Sequence, residues 1–423
     1  MVYQKFLVPI AILSLGTTSI GLAGTNQAFT RYTVDDNASK PAFIKISDLD
    51  GDGKPEILVS MFGRSPITNG SVALYKGGQE LGSWEKQTIE GSKTKFPNSI
   101  TIADVNQDGK KDIILPSGFL PCIFPFGNCG SLRWFAQQED GSFKYNKLLS
   151  GQKRFYHHVE FVDFDQDGIK DIVAVGEEKG MRSDGSSVLQ YFKGNDSELR
   201  FETKPTNITG GLGSFPRVLD LDNDGDWEVF SSEYFGSKGS FSWVDQDAQG
   251  EWQRYYIDST IGKSIQLSFV EDLFGKGRLW AIGANHTNTT DDKKNPESAI
   301  YVYEVPDFNR TGFNPKAEWK KLKASEGIIS KKSPLVGPSG APGVFAVGDI
   351  DGDGDKDIVV SGDGDPRIFW LRQDANQKFT TVVIADEMPQ GGVDVADLDG
   401  DGTMEVVASS WDKNKVFIYK FNK

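Results

Sequence analysis

Six times the chain repeats an acidic nonapeptide, Asp-x-Asp/Asn-x-Asp-Gly-x-x-Asp/Glu, each time between two short apolar runs. The ligand-type positions are Asp48, Asp50, Asp52 and Glu56; Asp104, Asn106, Asp108 and Asp112; and Asp163, Asp165, Asp167 and Asp171. They continue as Asp220, Asp222, Asp224 and Glu228; Asp349, Asp351, Asp353 and Asp357; and Asp397, Asp399, Asp401 and Glu405. A seventh copy, Asp272 to Trp280, keeps the apolar flanks but has lost the other carboxylates. Carboxylates a few ångströms apart repel. A hard divalent cation cancels that repulsion, and Ca2+ takes about six to eight oxygens at about 2.3–2.6 Å, which alternate acids in a tight loop supply. The glycine at the sixth position allows the sharp turn such a loop needs. About six structural Ca2+ ions are therefore expected, and an apo protein less stable than the loaded one.

The loops recur at a period that defines an architecture. First acid to first acid, the steps are 56, 59, 57, 52, 77 and 48 residues. Periods of this size belong to propellers or solenoids rather than to a string of separate domains. Each repeat reads as four short strands, with the acidic loop joining the first two as a hairpin. EF-hand loops open with the same Asp-x-Asp-x-Asp-Gly, but they need flanking helices and an acid at position twelve; here the acid falls at position nine between β-branched residues.

The last repeat stops after its third strand, Lys415–Tyr419, and the missing fourth strand stands at the other end of the chain. Residues 28–36 parallel residues 378–386, the fourth strand of the preceding repeat. The expected fold is all-β: one seven-bladed β-propeller over residues 24–423, its ring closed by the N-terminal strand completing the last blade, which also protects edges that an open array exposes.

These loops and their flanking strands resemble the FG-GAP/VCBS repeat family, to which the propellers of integrin alpha chains belong. The motif is matched at six sites and broken at Asp272. The resemblance implies Ca2+ in the loops and adhesion, carbohydrate binding or extracellular display as roles. Fold alone does not choose among these.

A net charge of −14 argues against nucleic acid as a partner, and six bound Ca2+ would bring it near −2. Residues 1–23 read as a secretory signal: Lys5, an apolar stretch Phe6–Leu15, then small residues up to Ala23 and Gly24. The apolar stretch is far short of the ~20 residues needed to span a bilayer. A secreted, periplasmic or extracellular location is expected, with no membrane span in the mature chain. The two cysteines, Cys122 and Cys129, lie in one long loop and are expected to form a disulfide there.

Strand order puts the acidic loops on one face and the second-to-third-strand loops on the other. Residues expected to gather on that second face include Phe62, Arg64, Asn98, Phe124, Phe126, Tyr156, His157, His158 and Arg182. Glu177, Tyr234, His286, Asp363 and Trp411 join them, each six residues beyond the ninth loop position of its own repeat. Two readings compete. In one, these residues line a site that binds a glycan or an extracellular protein. In the other, His157, His158 or His286 acts as a general base beside Tyr156, with Arg182 or Ca2+ neutralising a sugar carboxylate, as polysaccharide β-elimination by a lyase requires; a hydrolase acting on acidic glycans is the related option. A purely structural module is the third possibility. Trp84, Trp134, Trp243, Trp252, Trp319 and Trp370 recur at similar strand positions and read as inter-blade packing. Three residues before each loop, Glu160 is expected to meet Arg217, and Asp394 to meet Lys45, in ion pairs between neighbouring blades.

Overall fold

The computed structural model describes residues 25–63, 69–78, 80–119, 130–178, 185–195, 200–234, 240–286, 298–330, 340–386 and 391–423. Residues 1–24, both cysteines, Arg64, Phe124, Phe126 and Arg182 lie outside them. Among the described residues the structure is strands and turns, arranged as seven four-stranded antiparallel sheets and one two-stranded ribbon.

Blade one shows the pattern. Pro41–Ser47 is innermost, followed outward by Glu56–Met61, Gly70–Gly77 and Trp84–Thr94. The second strand is buried at all six positions, and its side chains alternate between two neighbours. Ile57, Val59 and Met61 pack with Val407, Val416 and Ile418 of blade seven, while Leu58 packs with Ile113, Leu115 and Phe135 of blade two. A strand covered on both faces must be apolar throughout, which is why these segments read as unbroken hydrophobic runs.

The same sharing repeats around the ring. Seven apolar clusters are found, and each draws its residues from two adjacent blades. No blade has a core of its own. Trp134, Trp243, Trp319 and Trp370 sit buried in these clusters, with Trp84 and Trp252 packed against them, as inter-blade packing predicts.

Blade seven consists of Val393–Ala396, Glu405–Ser410 and Lys415–Phe421, completed by Phe29–Asp35 from the N-terminus. The outer pairing runs in register from Phe29 opposite Phe421 to Thr33 opposite Phe417. The ring is thus closed by hydrogen bonds between the two ends of the chain. At the inner edge, the Gly392 amide donates to Ala42 O at 2.8 Å, and Ser409 Oγ donates to the same carbonyl at 2.5 Å.

Of the two expected inter-blade ion pairs, one forms. Arg217 Nη1 lies 2.7 Å from Glu160 Oε1, and His158 Nε2 joins them at 2.6 Å from Arg217. Across the closing seam Asp394 turns its Oδ2 to the Ile46 amide at 2.9 Å instead, and Lys45 acts on that carboxylate only through its charge. A backbone donor within reach of a short Asp side chain displaces the longer contact.

Candidate functional site

The acidic loops have a backbone that their own side chains hold. In all seven blades the amide of the sixth-position glycine donates to the first-position Asp, from Gly53 to Asp48 at 3.0 Å through Gly277 to Asp272 at 2.5 Å and Gly402 to Asp397 at 2.9 Å. Those glycines adopt positive φ, for example 85° at Gly53 and 95° at Gly225, with nothing near their Cα that a side chain would strike. They are needed for conformation, not for space. The ninth-position acid buttresses the loop from the other side: Glu56 accepts from the Leu49 amide at 2.7 Å, Glu228 from Leu221 at 2.7 Å and Glu405 from Leu398 at 2.8 Å. The blade-five loop keeps the first of these bonds and the turn while lacking the other acids. The hairpin therefore outlives its ligands.

Five loops also bring acids together. Asp48, Asp50 and Glu56; Asp163, Asp165 and Asp171; Asp220, Asp222, Asp224 and Glu228; Asp349, Asp351 and Asp353; and Asp397, Asp399 and Glu405 each place one oxygen per residue within 4.8 Å of the others. Oxygens on opposite sides of a calcium ion stand about 4.8 Å apart, so this spacing fits one. Buried oxygens left without a donor strengthen the fit: Asp163 Oδ1, Asp220 Oδ1 and Glu228 Oε1 have none. Burial, together with the charges of Asp222, Asp245 and Asp220, pushes Glu228 up to about 8, against the pull of the Leu221 amide. Asp357 is pushed up to about 7 by burial. The blade-two loop differs. Its acids are not among the converging groups, and Asn106 stands where the other loops have an acid and donates its amide to Asp108 at 3.0 Å.

The opposite face holds a pocket of about 420 Å³ on the propeller axis. Two rings of positions build it. Residues six beyond the ninth loop position contribute Phe62, Tyr234, His286, Asp363 and Trp411, at the ends of the second strands. Residues six before the first acid contribute Ala42, Asn98, His157, Ser214, Gly343 and Gly391, at the starts of the inner strands. The pocket is two-sided in chemistry. On one side Phe62 stacks on Phe96 with centroids 3.9 Å apart, flanked by Phe43 and Phe119. On the other, His157 Nδ1 lies 2.5 Å from the buried Glu177 Oε2, whose Oε1 accepts from Ser214 Oγ at 3.0 Å. His286 Nδ1 donates to Pro342 O at 2.6 Å, which leaves its Nε2 3.4 Å from Asp363 Oδ2. Burial pushes both Asp363 and Tyr234 above their ordinary values. No lysine or arginine is among the described lining residues. Gly391 and Gly340 keep the wall thin: a Cβ on Gly391 would fall 1.7 Å from Ser409 O, and one on Gly340 2.3 Å from His286 O.

The structure thus brings His157 and His286 to one pocket but leaves the other candidates apart. Tyr156 is buried between blades two and three, its hydroxyl donating to Gln190 Oε1 at 3.2 Å, and burial raises it far from a base's range. His158 belongs to the Glu160–Arg217 ion network and also meets Ser99 Oγ at 2.9 Å. Phe43, Phe96 and Ser214 were not expected at the pocket. The offset of six before each loop would have found Ser214, whereas Phe96 follows no periodic position.

Fold and loops together define a seven-bladed propeller with acidic hairpins on one rim. The FG-GAP-like repeat family model matches residues 24–115 and 349–408. The fold is a seven-bladed β-propeller, and the matched segments are FG-GAP-like repeats. No curated protein matches it. Among solved structures it is similar to a virginiamycin B lyase from Staphylococcus aureus, 11% identical over 93% of this chain and 99% of that one, with a TM-score of 0.49. A streptogramin B lyase structure is 12% identical over 94% and 98% of the two chains, TM-score 0.47. A protein from Lactobacillus plantarum is 11% identical over 83% and 86%, TM-score 0.47. Likeness this distant carries no argument about activity.

Proposed function

We propose that the protein is an exported, calcium-braced binding module whose axial pocket takes a glycan, with neutral sugar units seated against the aromatic half. The two-sided pocket carries this reading. Phenyl faces suit the C–H faces of a pyranose, and His157, His286, Ser214 and Asp363 offer donors and acceptors to its hydroxyls. The Asp363 carboxylate, with no lysine or arginine among the described lining residues, favours neutral over acidic sugars. Export rests on the N-terminal sequence, and no helix among the described residues is long and apolar enough to cross a membrane.

Glycan-array binding by the purified chain, followed by calorimetry with the best oligosaccharide, tests this. Phe62→Ala is expected to weaken binding at least tenfold and to leave the fold intact, because the ring lies in a pocket wall and not in an inter-blade cluster. Binding unaffected by Phe62→Ala and by Trp411→Ala together would move the ligand elsewhere. The same incubation scored for ultraviolet-absorbing unsaturated sugars reads out the lyase alternative, for which the His157–Glu177 and His286–Asp363 pairs are the available bases. Product lost in His157→Ala or His286→Ala would replace the binding reading.

A further inference from the structure

Each acidic loop is faced by one residue of the third strand, directly across from the ninth loop position. The register fixes which residue it is: Lys76 in blade one, Lys193 in blade three, Arg372 in blade six and Lys420 in blade seven. All four are cations, and all four reach into their loops. Lys76 Nζ is 2.9 Å from Asp50, Lys193 Nζ contacts Asp165 and lies 2.7 Å from Asp167, Arg372 is 2.5 Å from Asp351, and Lys420 contacts Asp399 and lies 2.7 Å from Asp401. In blade five only the first acid, Asp272, remains, the loop carries Arg278, and the facing residue is Glu304, 2.8 Å away. Charge complementarity across this strand pair holds even when the loop changes sign.

Blade four breaks the rule. Opposite Glu228 stands Asp245, a further carboxylate facing Asp222, Asp224 and Asp226, with Asp220 acting on Glu228. None of these six acids has an ion pair with a described lysine or arginine. Glu228, a member of the converging group, is 1% exposed, and its Oε1 has no donor. Blade two is the neutral case, with Ala136 at the facing position.

We propose that the facing residue grades the loops by built-in countercharge, so that blade four is the dominant divalent-cation site and the loops of blades one, three, six and seven bind weakly because a tethered ammonium or guanidinium must first be displaced. An ion entering blade four gains the attraction of six carboxylates and displaces nothing. One entering blade three must expel Lys193 from two acids, losing the contact it replaces.

Calcium titrated calorimetrically into the chelator-treated full chain should resolve one tight ion and a weaker class. Asp245→Lys should weaken the tight ion at least tenfold, and Asp245→Asn should do so less. Lys193→Met is the converse arm: it should add a second tight ion. Terbium placed in blade four should luminesce through Trp227, the eighth residue of that loop, and lose that signal in Trp227→Phe. A tight ion that survives Asp245→Lys, or a Lys193→Met protein identical to the parent, overturns the proposal. Absence of any calcium binding overturns it together with the calcium-braced part of the proposed function, whereas loss of grading alone leaves the pocket reading untouched.

Discussion

Asp258 shows what a buried carboxylate needs when no metal is near it. It is 1% exposed, and Lys321 Nζ lies 2.6 Å from Oδ2, the Tyr303 hydroxyl donates to Oδ2 at 2.9 Å, and Thr260 donates through both its amide and its hydroxyl to Oδ1. Burial alone would raise this acid, yet the Lys321 and Thr260 contacts outweigh it and hold it below the ordinary carboxylate value of 3.8. A depressed folded value contributes stability that is present above the unfolded value and is lost as pH falls through the folded one. Asp258→Asn strands Lys321 beside a neutral amide, so we expect a loss of about 2–3 kcal/mol at pH 7. That loss should shrink below pH 4, where the parent also becomes protonated. Urea midpoints at pH 7 and pH 3 check both statements; an equal loss at the two values would contradict the charge argument.

At the scale of the element, the strand Phe29–Asp35 carries the ring closure, and Phe29 anchors it. Its ring, 5% exposed, meets Trp370 edge-on at 5.7 Å and Phe421 at 5.5 Å, spanning blades six and seven. Phe29→Ala empties an inter-blade position and should cost about 3–5 kcal/mol, read as a lowered denaturant midpoint. A change under about 1 kcal/mol would mean that backbone pairing alone holds the closure. This strand was legible before any coordinates, because residues 28–36 repeat the pattern of residues 378–386 and one repeat lacked its fourth strand. So were the loops and the ring of residues six beyond them, since a fixed offset from a fixed motif survives folding. Phe96 was not legible: it sits in the link between blades one and two at a positive φ of 55°, which turns its ring toward the axis without any periodic signature. The Lys45–Asp394 pair failed for a related reason, because spacing places side chains side by side but does not count the backbone donor, Ile46 N–H, that stands closer.

At the scale of the whole molecule, the seven shared clusters form a closed cycle, and this decides how the protein should melt. In an open array of repeats, terminal units have one interface and fray first. Here every blade has two, and removing any one exposes apolar surface on both sides. The acidic hairpins all lie on one rim, joining the inner and second strands of their blades, so ions bound there stabilise the common transition rather than separate ones. Each site held at a hundredfold excess over its Kd adds about 2.7 kcal/mol, or about 3 °C for a chain of this length. Scanning calorimetry should therefore show a single transition with calcium and a single transition at lower temperature after chelation, the shift reporting how many sites had been filled. Deleting residues 25–36 should convert that single transition into a broad or stepped one, because it opens the cycle and leaves blade seven with an unpaired edge. A stepped melt in the intact chain would show that the blades unfold independently and that ring closure does not couple them.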